Sequence, residues 1–397
     1  MQRLKKFQNI IFVFFSLLFI GFGYYVVNII IRNIDIDPAL KYDYQIAYLV
    51  CAILGIVITI LFVYSYFKKT EIKAVAVIFS FLFVIYVFVL HDWIFYPAID
   101  NIEFVLLNSI DSILLSLIII LYFYKIAQIL TSAELFKSFS LILLTVMTFI
   151  CVFITRPVEA YIFLTTVIIT FFLHKRKSPA KFLIMMAVLS LMFFFVNDHH
   201  HFREHFFDNF IWNNIWGGAN FQRRMFEINI HKGGLFGNGI GTYRWNNYLP
   251  VPNYHNFPLV LICYEFGFVG AFLLIVILNT LIYLCLKGIS GADSERVKVL
   301  LFGLLIYILF HIVGGIGTSI QLLPIMEIPL PGFTLNFSHL IITLFIIVWS
   351  MWYYFKDNAV KLVGTPRVVM ILFMIFSFIA LSKIFYIAQI QTWHFKF

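Results

Sequence analysis

Tyr254-His255-Asn256-Phe257 stands immediately before a long apolar run. A neutral imidazole near pH 7 is a competent general base, so His255 could take a proton from an attacking hydroxyl. Asn256 beside it can hydrogen-bond a substrate but cannot accept that proton. Its structural alternative is helix N-capping, for which Asn is among the best residues. Nine residues on, Glu265 interrupts the apolar run, where a carboxylate must face protein or water rather than lipid. Upstream lie Arg203, Arg223, Arg224, Lys232 and Arg244. Guanidinium forks match phosphate oxygens, so a cationic group of this kind suits a diphosphate head group. Taken singly, each is equally a solvated loop residue.

Between these groups runs Gly233-Gly234-Leu235-Phe236-Gly237-Asn238-Gly239-Ile240-Gly241. Glycines at this density allow left-handed backbone and close approach. Two readings follow, a phosphate-cradling nest or a sharp turn. The missing G-K-[ST] ending and the absence of a preceding strand exclude a P-loop. His199, His200 and His201, with His205, invite a metal reading, but adjacent histidines rarely converge on one ion. Arg156-Pro157-Val158-Glu159 offers an Arg and a Glu at a tight turn, either at a cavity rim or as a solvated pair. Asp111, inside an apolar run, is interhelical glue or a cavity residue. Nothing in the sequence requires a cofactor, and a divalent cation stays open.

The elements that must position these residues are membrane helices. The 397 residues are 62% hydrophobic and only 12% charged, and the mean hydropathy is +0.96. A soluble domain could not cover its surface with that composition. Apolar runs of about 20 residues span hydrocarbon as helices, which satisfy their own backbone groups there. The sequence therefore predicts an all-α polytopic membrane protein of 10–11 transmembrane helices. The spans fall near 9–31, 44–67, 73–90, 104–124, 138–155, 158–174, 181–197, 257–286, 297–319, 335–355 and 368–389. They form one membrane domain over 1–397, with a large outside loop, about 198–256, between spans seven and eight.

Basic residues set the orientation. With a cytoplasmic N-terminus, the inside segments hold Arg3, Lys5, Lys6, Lys68, Lys69, Lys73, Lys175, Arg176, Lys177, Lys287, Arg296, Lys298, Lys356, Lys361 and Arg367 among others, and the short outside loops hold only Arg32, Lys41 and Arg156. The same bias accounts for the net charge of +9, and no basic domain exists to bind nucleic acid. The first span has a basic start but exceeds a signal h-region, and it reads as a retained helix. Cys51, Cys151, Cys263 and Cys285 sit apart in apolar spans as small hydrophobes. A second outside loop, Leu322 to Asn336, carries three prolines. It is stiff and non-helical, suited to the wall of an outward cavity.

Three stretches resemble the SEDS family of FtsW/RodA type. One is FQ…GGLFGNGIG…YLP…E-x-G-x-x-G from Phe221 to Gly270, similar to the family's aromatic-Gln, glycine run, Leu-Pro and H-T-D-F entering a helix. The second is LLPIMEIPLPGFTLNFSHL, similar to the family's proline loop. The third is Arg156-Pro157-Val158-Glu159, similar to Q-P-D-L-G. The resemblance implies a peptidoglycan glycosyltransferase in a bacterial inner (cytoplasmic) membrane. It would polymerise lipid II, a polyprenyl diphosphate-linked glycan, and serve cell division or shape beside a single-span transpeptidase partner. On this reading the donor diphosphate sits on outer-face Arg groups, Arg203 or Arg244, the acceptor sugar meets His255 or Asn256, Gln222, Lys232 and Arg156 are further substrate-binding candidates, and Glu265 joins them as a buttress of the cavity.

The departures are specific. Asn256 stands where the family has its catalytic Asp. Leu335-Asn336-Phe337-Ser338 replaces Gly-Gly-Ser-Ser, Glu327 replaces a frequent Gly, and a helix at about 368–389 follows the usual end. Three outcomes follow: His255 is the base, the chemistry differs, or the chain is an inactive scaffold or lipid carrier. His255-Asn256 before E-x-G-x-x-G also resembles the O-antigen ligase and polymerase group, where a His at this position matters. The Leu-Pro and I-P-L-P features resemble SEDS instead.

Overall fold

The computed structural model describes residues 2–33, 45–46, 48–53, 56–57, 113, 115–124, 126–128, 131, 162–163, 165–167, 169–170, 218–242, 257–323, 328–334, 337–356 and 362–389. Its long elements are α1 (Gln2–Asn33), α2 (Gly218–Gly233), α3 (Pro258–Ser290), α4 (Glu295–Ser319), α5 (Phe337–Lys356) and α6 (Thr365–Gln389). Among the described residues five helices are long and apolar enough to cross a membrane: α3 to α6 and the Asn9–Ile29 part of α1. The chain is a multi-pass, all-α membrane protein. These five match the spans expected at 9–31, 257–286, 297–319, 335–355 and 368–389. Of the other six, the span expected at 104–124 is described over 113 and 115–124, which are helical, and the remaining five lie mostly or wholly outside the described residues. One difference concerns the long loop. It is not irregular throughout, because its 218–233 segment lacks proline and folds as α2 up to the Gly233-Gly234 pair.

α3 is the centre of the bundle and packs against α1, α2, α4, α5 and α6. Proline at its first turn suits the start, where no amide partner exists anyway. Its 33 residues would run about 50 Å as one helix, against about 30 Å of hydrocarbon. The helix instead breaks at Gly267, whose φ of 64° and ψ of −159° are non-helical. The remaining leg, Phe268–Ser290, is about 34 Å long, a fitting span.

The glycine-rich turn after α2 repairs that break. The amides of Asn238 and Gly239 donate to the carbonyls of Tyr264 (3.0 Å) and Glu265 (3.1 Å), and the amides of Phe268 and Val269 donate to the carbonyls of Gly234 (2.9 Å) and Leu235 (3.1 Å). Asn238 Nδ2 adds bonds to the carbonyls of Lys232 (3.2 Å) and Tyr264 (3.1 Å). Contact this close needs glycine on both sides. A Cβ on Gly237 would lie 2.1 Å from the Glu265 carbonyl oxygen, and one on Gly267 would lie 2.5 Å from the Gly237 nitrogen.

The other helices are fastened by similar means. Gly288 of α3 lies against the Ser350 carbonyl of α5, where a Cβ would approach to 2.1 Å; small residues let membrane helices close up in this way. α6 follows α3 along its length through Asn279 Nδ2 to Ser377 Oγ at 2.8 Å and Phe268 to Phe385 at 5.3 Å. The rest of α6 presents Ile371, Leu372, Ile375 and Phe378 outward, an apolar face suited to lipid. At the end of the bundle away from the glycine turn, Lys356 pairs with Asp293, and Lys298 with Glu295.

The glycines differ in what they tolerate. Gly267→Ala and Gly237→Ala each combine a positive φ with a backbone clash and should destabilise the protein by about 2–4 kcal/mol. Gly241 has a φ of 71° but open space around it. Gly241→Ala should therefore cost only about 1 kcal/mol. Thermal unfolding of the three variants in detergent checks the order, and equal losses would refute it.

Candidate functional site

α2 brings its C-terminal end onto the first leg of α3. Phe226 packs on Phe257 with ring centroids 4.6 Å apart, and Val260 joins them. The helix N-cap is Phe257, without a side-chain cap bond. His255, Asn256, Arg203, Arg244 and Arg156 lie outside the described residues, as do Asp111 and the run His199, His200, His201 and His205. Gln222 is on the N-terminal half of α2. Lys232 is exposed in its last turn, where a cation complements the helix dipole.

Glu265 is buried, with 1% of its surface exposed. It sits two residues before the break and is held at both ends. Its carbonyl accepts from Gly239, and its Oε2 accepts from the Tyr25 hydroxyl of α1 at 3.1 Å. The adjacent Phe266 ring is flanked by Phe22 (6.2 Å) and Tyr25 (5.6 Å). α1 therefore delivers a phenol and two aromatic faces to one turn of α3. Through Asn238, the backbone at Lys232 and at Tyr264–Glu265 is drawn into one cluster.

These bonds decide between the two readings of the glycine run. The amides of Gly237, Asn238 and Gly239 are directed to the carbonyls of Gly233, Tyr264 and Glu265. They serve the broken helix, so the run is a turn and not an open anion nest.

Residues 328–334 of the proline loop are buried, whereas Leu322 at its start is exposed. Phe333 meets Phe19 at 5.3 Å, and Tyr48 Oη donates to the Gly332 carbonyl at 3.2 Å. A void of about 30 Å³ beneath it is lined by apolar groups including Phe19, Leu278, Cys285 and Pro331. That volume holds about one water and no sugar. These seven residues thus pack into the core and do not wall a polar cavity.

Two features escaped the sequence reading. Tyr25 lies in a run of apolar residues, and a tyrosine there carries no pattern pointing to a partner 240 positions away. The other is a cluster on α4 and α5. Tyr307, His311 and His339 are all fully buried, with Tyr307 Oη 3.3 Å from His339 Nε2 and the two imidazole centroids 4.1 Å apart. His311 Nδ1 donates to the Tyr307 carbonyl at 3.0 Å. Histidine inside an apolar span is the signal the sequence carries for this cluster. Among the described residues, no group of three or more His, Cys, Asp or Glu could hold a metal ion. Cys51, Cys263 and Cys285 are buried free thiols.

Comparison with known proteins places this architecture. A probable peptidoglycan glycosyltransferase FtsW of Enterococcus hirae is 30% identical over 115 residues, 29% of each chain. The stage V sporulation protein E of Bacillus subtilis is 28% identical over 128 residues, 32% of this chain and 35% of that protein. The matched part thus spans about a third of the length of these curated relatives. A solved structure described as "Structural coordination of polymerization and crosslinking by a peptidoglycan synthase complex" superposes with a TM-score of 0.57 at 18% identity, covering 88% of this chain and 98% of that one. That likeness is one of fold. The family model described as "Cell cycle protein" (FtsW/RodA/SpoVE) matches residues 7–354, nearly the whole span of α1 to α5. The chain belongs to the FtsW/RodA/SpoVE family, known as SEDS, as a divergent member.

Proposed function

We propose that this protein is a glycosyltransferase that polymerises a polyprenyl diphosphate-linked cell-wall glycan, lipid II by resemblance. The family match over residues 7–354 carries the reading, and the relative printed as a probable peptidoglycan glycosyltransferase supports it. An acceptor sugar hydroxyl attacks the anomeric carbon of the donor. The glycosidic C–O bond forms, the bond from that carbon to the diphosphate breaks, and the lipid diphosphate leaves. His255 takes the hydroxyl proton, and Asn256 orients the acceptor. Arg203, Arg244, Arg156 and Lys232 balance the charge of the diphosphate, with Gln222 as a hydrogen-bond partner. The role of Glu265 is to hold the mouth of α3 in place. The solved neighbour is a complex that couples polymerisation to crosslinking, which supports a single-span transpeptidase as partner.

The end of the bundle with the glycine turn faces outward in this reading, and the N-terminus is cytoplasmic. Lys287, Arg296, Lys298, Lys356 and Arg367 gather toward the opposite end, as the positive-inside rule requires. Phe236 is 80% exposed in the glycine turn, and Asp293 is exposed at the far end. Phe236→Cys should react with an impermeant maleimide on intact cells, whereas Asp293→Cys should react only after permeabilisation. The reverse pattern would overturn the orientation.

Polymerisation of lipid II by the purified chain tests the activity. Wild type should give product, and His255→Ala should lose about 10²–10⁴-fold, the usual worth of a general base. Asn256→Asp should raise the rate by restoring a carboxylate. Full activity in His255→Ala would remove that residue as base. No product from wild type, where an authentic family member works, would favour the scaffold reading.

A further inference from the structure

Glu265 is a buried carboxylate whose position is set from two sides. The glycine turn fixes its backbone through Gly239, and α1 fixes its side chain through Tyr25. The two constraints meet on one residue next to the break at Gly267, so a change at either reaches the other through a single peptide unit. The Tyr25 ring also packs on Phe266 at 5.6 Å, leaving its hydroxyl as the part that addresses the carboxylate.

We propose that Tyr25 is a positioning residue: by donating to Glu265 Oε2 it makes the first transmembrane helix a working part of the site at the mouth of α3. The inference rests on the glycosyltransferase reading for its kinetic consequence, but not for its structural one. A hydrogen bond in a buried, low-dielectric setting is electrostatically stronger than the same bond in water. It fixes the rotamer of Glu265 and, through that residue, the pairing of the α3 leg 258–266 with the turn 234–239. His255 and Asn256 directly precede that leg in the sequence, so on the proposed reading their reach toward an acceptor depends on where the leg sits. A misplacement of about 1 Å can cost on the order of 10²-fold in rate. Loss of this tether should slow the chemical step more than it weakens donor capture, because of the donor-binding cations proposed above only Lys232 is tied, through Asn238, to this cluster among the described residues.

The test uses the full chain in nanodiscs with Tyr25→Phe, Glu265→Gln and the double variant. Tyr25→Phe keeps the ring and removes only the hydroxyl. It should lower kcat on lipid II about tenfold with KM within about twofold, and adding it to Glu265→Gln should cost nothing more. Hydrogen exchange at residues 237–239 and 268–269 should quicken about tenfold in Tyr25→Phe, with α4 and α5 unchanged. Unaltered exchange would overturn the proposal whether or not the chain polymerises. So would an additive double variant, or a fall in thermal stability with KM and kcat shifted together, which marks general loosening. A wild type without polymerase activity instead sinks the glycosyltransferase reading. Exchange, and its non-additivity in the double variant, then supports or overturns the role of Tyr25.

Discussion

Hydrocarbon offers no hydrogen bonds, so every backbone amide or carbonyl freed inside a membrane must find a partner in the protein. α3 frees several at Gly267, at the outer end of its spanning leg, and each one buried there without a partner would cost a few kcal/mol. The glycine turn after α2 supplies the missing partners in both directions. It donates to the carbonyls before the break and accepts from the amides after it. The turn and the broken helix are thus one unit, although more than 20 residues separate them along the chain. The glycines follow from this. They are there because two backbones meet at a distance no side chain permits, and the left-handed angles complete the fit.

The remaining helices can be understood by how they hold that unit. α1 contributes the Tyr25 hydroxyl and the rings of Phe22 and Tyr25 on one side. α6 lies on the other, where His231 Nδ1 is 3.3 Å from the Ile387 carbonyl and Phe385 covers Phe268. α5 meets α3 lower down, at Gly288 and Ser350. α6 lies beyond the residues that the family model matches, yet it touches both α2 and α3. The turn and the broken helix are therefore braced by an element beyond the residues that the family model matches.

Much of this was legible in the residues. The long apolar runs located α3 to α6 because helix length in a membrane is fixed by bilayer thickness. The glycine run marked a place of close approach because nothing else in the chain needs five glycines in nine positions. Glu265 stood out as a charge in an apolar run. The break at Gly267 was not legible: a glycine inside a helical pattern is usually tolerated, and only the partner strand of backbone turns it into a hinge. Tyr25 was hidden for the same kind of reason, since its meaning lies in a residue 240 positions later. The buried 328–334 segment shows the converse error. Three prolines do make a stiff loop, but stiffness says nothing about whether water or protein covers it, and here it is protein.

The span between Tyr25 and Glu265 bears on how the molecule is made. A ribosome adding about 5–20 residues per second takes on the order of 10–50 s to reach the second residue after the first has emerged. Throughout that interval α1 waits in the bilayer with its phenol facing a partner not yet synthesised, while the intervening chain is made. The broken helix and its repairing turn arrive almost together, so the local joint closes quickly. The long-range one closes among the last events of biogenesis. A nascent chain stalled before α3 would carry a first helix whose Tyr25 hydroxyl still lacks its Glu265 partner.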